Sequence, residues 1–181
     1  MMPEIASVKV TILSNIKEPD MAFAKKIIDA GGKTLDLCYQ CGTCTASCPS
    51  GRMTAFRTRQ LIRKAQLGLK NDILPTEELW MCTTCYSCVE RCPRDVEIVD
   101  IILLMRNMAV QEGHMAEAHK KIGVNLMKIG ATVPFGDDMK QLRAKMGLPS
   151  NPPTTAGNEK AADDFRKIMK KTQFDKKVGG A

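Results

Sequence analysis

The chain has 181 residues, a formal net charge of +7 at pH 7, and only 4% aromatic residues. That length fits one domain or a small domain with extensions, and its core must be mostly aliphatic and methionine. No apolar run approaches the roughly 18 residues of a membrane-spanning helix, the basic residues form no stripe interleaved with aromatics as on nucleic-acid surfaces, and the opening MMPEIASVKV has no basic stretch leading into an apolar one, so a secretory signal is not expected.

Residues 1–18 read as an N-terminal arm, in which the alternating, β-branched run Val8-Lys9-Val10-Thr11-Ile12-Leu13 predicts a short strand. Asp20 is placed to cap a helix over Met21–Ala30 that stops at Gly31-Gly32, with Phe23, Ile27 and Ile28 on its buried face. Next comes the run Cys38-x2-Cys41-x2-Cys44-x3-Cys48-Pro49. Thr54–Leu67 predicts a helix, with Phe56, Leu61, Ile62 and Ala65 apolar, arginines outside and Gly68 at its end. Pro75-Thr76-Glu77-Glu78 predicts a second helix start leading through Leu79 and Trp80 into a repeat of the cysteine run, Cys82-x2-Cys85-x2-Cys88-x3-Cys92-Pro93.

Beyond the repeat, Asp95 is the expected cap of a helix whose stripe is Ile98, Ile101, Ile102, Met105, Met108 and Ala109, ending at Gly113. A further helix is expected to carry Met115, Ile122, Leu126 and Ile129 on one face. From Ala131 onward, Pro134, Gly136, Pro149 and Asn151-Pro152-Pro153-Thr154-Thr155 predict loops and a linker. The last amphipathic helix, Glu159–Lys171, presents Ala161, Phe165, Ile168 and Met169, and must fold back on the domain or dock on a partner. His114 and His119, the only histidines, read as ordinary surface or packing residues.

The two cysteine runs use all eight cysteines of the chain. Three cysteines at intervals of two wrap a tight turn around one iron–sulfur cube, and in two-cluster ferredoxins the fourth, before the proline, serves the other cube. Applied to this chain, Cys38, Cys41, Cys44 and Cys92 hold one [4Fe–4S] cluster, and Cys82, Cys85, Cys88 and Cys48 the other. Pro49 and Pro93 end each run by blocking continuation of a preceding helix, and Gly42 lets the first loop approach its cluster. Structural zinc also uses C-x2-C pairs, but ordinarily two cysteines per knuckle rather than four with a proline. A disulfide framework suits short secreted chains. The first cysteines of the two runs lie 44 residues apart, and the connector between them reads as helical where small bacterial ferredoxins use short β elements. The expected fold is therefore mainly α: a helical two-cluster ferredoxin-type domain over 19–148, preceded by the arm and followed over 149–181 by a linker and a helical docking extension. Arg52, Arg57, Arg59, Arg63 and Lys64 follow the first run, and Arg91 and Arg94 flank the last cysteine. Such positive charge compensates the anionic clusters and favours their reduced state.

The stretch Cys38-Tyr39-Gln40-Cys41-Gly42-Thr43-Cys44-Thr45-Ala46-Ser47-Cys48-Pro49-Ser50-Gly51 resembles the first motif of the small iron–sulfur component (the C subunit) of heterodisulfide reductase, and Cys82-Thr83-Thr84-Cys85-Tyr86-Ser87-Cys88-Val89-Glu90-Arg91-Cys92-Pro93-Arg94 resembles its second. The resemblance runs from about Leu37 to Gln111 and departs at none of the eight ligand positions. It implies an electron conduit in a cytoplasmic complex, passing electrons from a flavin-containing partner to a catalytic partner that reduces the coenzyme M–coenzyme B heterodisulfide in methanogenesis. It also implies attachment to a hydrogenase or formate dehydrogenase assembly. The catalytic partner in that family uses adjacent-cysteine motifs of the Cys-Cys-Gly type, and this chain has no adjacent cysteines. Iron–sulfur subunits of other dehydrogenases share the helical module, although succinate-type subunits need additional cysteines. Free ferredoxins are usually smaller and acidic.

Because metal binding in small cluster proteins is also folding energy, stripping the iron anaerobically with a chelator should unfold the chain around both runs. Loss of far-UV helical signal together with the cluster absorbance checks this; an unchanged spectrum would show that the fold stands without metal.

Overall fold

The computed structural model describes residues 18–133 and 135–179; the expected strand Val8–Leu13 lies outside them. The described residues are mainly helical, with no strand among them. They fall into two compact units, one up to Ala109 and one from Val110.

In the first unit, helix α1 (Met21–Asp29) is capped as its sequence demands, Ala22 N–H donating to Asp20 Oδ1 at 3.0 Å, and it buries Phe23 and Ile27. The first cysteine run carries two one-turn helices, α2 (Thr43–Ser47) and α3 (Pro49–Met53), with Pro49 in the first turn of α3. Proline suits that place because its missing N–H has no helical partner to lose. The helix expected over Thr54–Leu67 begins only at Thr58, as α4 (Thr58–Gln66). Thr54 to Arg57 is extended at both ends, which lets Phe56 bury its ring (1% exposed). Arg57 stabilises the break, its Nη1 donating to the carbonyls of Gly51, Thr54 and Phe56, each at 2.9 Å. Gly68 ends α4 with φ +70, where a Cβ would collide with the Asp20 carbonyl; Asp20 N–H in turn donates to Gly68 O at 2.8 Å, tying the start of α1 to the end of α4.

The second expected helix start is a 3-10 turn, Glu77–Met81, that delivers Cys82 in extended conformation. The second run supplies α5 (Ser87–Glu90), and α6 (Ile98–Gln111) follows. Asp95 does not cap α6. It sits in a left-handed turn (φ 51), and the N–H of Glu97 is satisfied from a distant segment, donating to Thr34 Oγ1 at 3.0 Å. The α6 stripe is buried as its period requires: Ile98, Ile101, Ile102, Met105 and Ala109 join Phe23, Ile27, Leu35, Leu61, Ile62, Ala65, Ile73, Leu74 and Leu79 in one core, with Ile28 and Met108 partly buried against it.

The second unit holds α7 (Glu117–Ile129), α8 (Asp137–Lys145), α9 (Glu159–Lys171) and α10 (Phe174–Lys177). The sequence pattern predicts only loops where α8 forms, because its apolar residues Met139 and Leu142 lie among charged neighbours and stay exposed, as does Met146 just past its end. Asn158 caps α9, accepting from Ala161 N–H at 3.1 Å. Val178, just past α10, is 3% exposed and packs on Gly123 of α7, so the segment after α9 folds back within its own unit. The stripe expected on α7 is not buried: Ile122 and Ile129 are exposed, and Gly123 is the buried position. His114 and His119 are both exposed.

Ile101→Ala removes a side chain with 0% exposure and should cost about 2–5 kcal/mol. Ile122→Ala, on an exposed position, should cost less than about 0.5 kcal/mol. Anaerobic urea unfolding of the cluster-loaded chain checks the contrast, and equal losses would contradict the core described.

Candidate metal centre

Both cysteine runs adopt one backbone design. The first cysteine ends a 3-10 turn in extended conformation (Cys38 φ −73, ψ 110; Cys82 φ −68, ψ 123). The middle cysteine lies between two residues of positive φ: Gln40 (69) and Gly42 (88) around Cys41, Thr84 (52) and Tyr86 (60) around Cys85. The third sits on a one-turn helix, Cys44 on α2 and Cys88 on α5. Left-handed residues on either side of a cysteine coil the backbone tightly, so that three side chains three residues apart turn toward one centre. Glycine takes that conformation freely; Gln40, Thr84 and Tyr86 take it against the usual preference of L-residues, as strained residues at functional sites do.

Helices α2 and α5 pack on each other, which brings the two runs side by side. Cys48 of the first run then lines one cavity with Cys82, Cys85 and Cys88 of the second; the remaining wall includes Pro49, Phe56, Thr58 and Ile102. On the other side, Cys44 lies within electrostatic reach of Cys38 and Cys41, and the Tyr39 phenol, beside Cys38, is within reach of both Cys41 and Cys92. Among the described residues no three His, Cys, Asp or Glu side chains converge as ligands of a single ion would. In the Cys48 cavity the thiols stand around a space instead.

Burial and local hydrogen bonds sort the thiols. Burial pushes Cys88 up to about 12, with the neighbouring Cys82, Cys44 and Cys85 adding to it, and also raises Cys44 and Cys82. Cys41 and Cys85 are exposed and held below the ordinary thiol value by the groups at Thr43 and Ser87, whose hydroxyl oxygens lie 3.4 and 3.6 Å from the sulfurs. Main-chain donors reach the fourth cysteine of each run: Gly51 N–H donates to Cys48 Sγ at 3.4 Å and Val96 N–H to Cys92 Sγ at 3.3 Å. Such N–H donors stabilise a thiolate ligand and, with charge and solvent exposure, set a cluster's potential.

Two residues outside the cysteine runs hold the loops, and sequence reasoning missed both. Gln66, on α4, donates through Nε2 to the carbonyls of Leu35 (3.0 Å) and Cys38 (2.9 Å). Arg106, on α6, donates to the corresponding carbonyls of the second run, Leu79 (3.0 Å, from Nε) and Cys82 (2.7 Å, from Nη2), with its guanidinium 5.4 Å from the Trp80 ring centre. The signal was faint: both lie on the helix after their run, but their partners are main-chain atoms and leave no sequence pattern. Of the arginines near the runs, Arg59 passes close to Gly42, and Arg94 lies within electrostatic reach of Tyr39.

The donor set fits an iron–sulfur cube: four thiols around a cavity with apolar walls, plus one buried hydroxyl on its lining, Thr58 Oγ1, that has no hydrogen-bond partner. Residues 34–96 match the family model of the 4Fe-4S dicluster domain. The chain is thus a helical protein of two [4Fe–4S] clusters. It is 52% identical to the C subunit of the H(2):CoB-CoM heterodisulfide,ferredoxin reductase of Methanothermobacter thermautotrophicus over 88% of this chain and 86% of that protein. It is 49% identical to the iron-sulfur C subunit of the CoB--CoM heterodisulfide reductase of Methanopyrus kandleri (81% and 76%), and 38% identical to the C subunit of the Ferredoxin:CoB-CoM heterodisulfide reductase of Methanosarcina mazei (83% and 92%). It belongs to the family of heterodisulfide reductase C subunits. Among the described residues no helix is long and apolar enough to cross a membrane.

A thiol must lose its proton before its sulfur can bind iron. Since Cys44, Cys82 and Cys88 hold their protons more tightly than free thiols, loading the metal-free chain should release protons, and loading should tighten as pH rises from neutral. Anaerobic reconstitution in weak buffer with a pH indicator measures both; loading independent of pH would contradict the buried-thiol picture.

Proposed function

We propose that this chain is the electron relay of a cytoplasmic heterodisulfide reductase, taking electrons from a flavin-containing iron–sulfur partner and passing them to a catalytic partner that reduces the coenzyme M–coenzyme B heterodisulfide. The observation that carries this reading is the pairing of two cysteine runs in one fold, with Cys48 of the first on the cavity of the second. A [4Fe–4S] cluster accepts and returns a single electron. The chain's part is to hold two such groups side by side, wall the second with Phe56 and Ile102, and leave Cys41 and Cys85 toward the surface. Absence of adjacent cysteines in the sequence supports a relay rather than the catalytic component. The names of relatives that pair the heterodisulfide with H(2), formate or ferredoxin support attachment to a hydrogenase or formate dehydrogenase.

We assign Cys38, Cys41, Cys44 and Cys92 to one cluster and Cys82, Cys85, Cys88 and Cys48 to the other. The shared cavity supports the second set, and the reach of Tyr39 to both Cys41 and Cys92 supports the first. The α2–α5 contact supports the closeness of the two groups that electron hopping requires.

Two experiments test the assignment and the role. Cys48→Ser and Cys82→Ser should perturb the same EPR signal of the reduced chain; if Cys48→Ser matches Cys38→Ser instead, the crossed assignment is wrong. An anaerobic pull-down of the tagged chain should recover about eight irons per chain, as two cubes require, with a flavoprotein and a protein of the Cys-Cys-Gly type. Eight irons without partners would make it a free carrier, and zinc without iron would overturn the reading.

A further inference from the structure

The surroundings of the two cysteine runs differ. At the first, Gln40 Nε2 donates to Cys38 Sγ at 3.4 Å; at the second, two side chains bear on the cavity lined by Cys48, Cys82, Cys85 and Cys88. The first is Thr58. It is 1% exposed, it lines that cavity, and its Oγ1 has no hydrogen-bond partner. A helical threonine ordinarily returns its hydroxyl proton to the carbonyl three or four residues earlier. Thr58 is the first residue of α4, and the preceding residues Thr54 to Arg57 do not form a helical turn that would present such a carbonyl. The hydroxyl is therefore left free to donate into the cavity, where the natural acceptor is a sulfur.

The second is Arg106. It occupies the same post in its half of the domain that Gln66 occupies in the other, bonding the carbonyl of the first cysteine and of the residue three before it. One of these two clamps is neutral and the other cationic. Arg106 is half-buried, on the same face of α6 as the cavity-lining Ile102 one turn earlier. Lys64 and Glu78 are also only partly exposed, but they pair with each other at 3.7 Å and largely cancel. Arg59 and Arg94 near the first run are exposed, as is Asp100, which accepts from the Tyr86 hydroxyl at 3.4 Å near the second. Water and salt screen exposed charges far more than partly buried ones. With a side-chain donor at each run, Gln40 on Cys38 Sγ and the Thr58 hydroxyl on the second cavity, the half-buried guanidinium carries the difference.

Resting on the two-cluster assignment above, we propose that Thr58 and Arg106 hold the cluster of the Cys48–Cys82–Cys85–Cys88 cavity at a higher reduction potential than its neighbour, making it the electron's resting place within the chain. Reduction adds one negative charge to a cluster. A hydroxyl donor and a nearby cation both stabilise that charge, and potentials in such clusters follow net charge and hydrogen bonds to sulfur. With clusters bound, a transfer would oxidise the first-run group by one electron and reduce the one beside Thr58 and Arg106 by the same electron, with no proton moved and no covalent bond changed.

Potentiometric titration of the full-length, cluster-loaded chain, followed by EPR, tests this. Thr58→Val and Arg106→Gln should each lower the potential of one and the same cluster. For Arg106→Gln the ratio of reduced to oxidised cluster should fall about tenfold at fixed potential, or about 59 mV for one electron. Arg106→Lys, which keeps the charge, should stay close to wild type. Gln66→Arg should raise the potential of the other cluster. If Arg106→Gln loses its cluster, Thr58→Val and Gln66→Arg decide the matter. Wild-type potentials in Thr58→Val and Gln66→Arg, equal shifts of both clusters, or the same shift in the Lys and Gln variants of Arg106 would overturn the proposal. Iron counts and the Cys48→Ser signal report separately on the assignment beneath it.

Discussion

Everything in the first unit depends on one packing contact, between the one-turn helices that carry Cys44 and Cys88. A short loop turns three thiols toward one centre but leaves the fourth pointing elsewhere. Placing two such loops together brings the fourth cysteine of the first run to the second. Cys48 reaches the cavity of the second run because α2 and α5 touch. The core serves that contact: α1, α4 and α6 pack their aliphatic faces beneath the loops, and Phe56 and Ile102 close the cavity's apolar wall.

Apolar walls make the site expensive to leave empty. Burial holds Cys44, Cys82 and Cys88 in the protonated form when no metal is bound. Those thiols would have to lose their protons to hold a cluster, and the N–H groups of Gly51 and Val96 already donate to the Cys48 and Cys92 sulfurs that would carry part of its charge. The basic excess of the chain is thus partly a property of its cofactors. The middle cysteines, Cys41 and Cys85, are the thiols nearest the surface.

Two halves of similar backbone design need not behave alike. The loops repeat cysteine for cysteine, down to the positive φ angles on either side of Cys41 and Cys85. The residues that clamp them do not repeat: one half uses Gln66 and the other Arg106. Duplicated geometry with unequal surroundings is how a relay acquires a direction, since reduction potential follows surroundings more than ligands.

The cysteine spacing, the helical connector and the stripe of α6 were all legible in the sequence, because each depends on local periodicity or on the chemistry of one residue type. Failures at Thr54–Arg57 and Asp95 share a cause. Local propensity favours a continuous helix and a cap there, but burial of Phe56, the Arg57 carbonyl bonds and the distant Thr34 hydroxyl outcompete it. The stripe of α7 failed differently, since periodicity does not say whether a neighbour exists to cover a face, and Ile122 and Ile129 stay exposed. By itself the sequence determined that eight thiols stand in two cube-binding runs, since iron–sulfur chemistry needs only those residues at those intervals. Tertiary structure alone decided that Thr58 lines the Cys48 cavity with a free hydroxyl and that Gln66 and Arg106 clamp the loops, because these relations join residues far apart in the chain, through packing and main-chain atoms that carry no sequence signature.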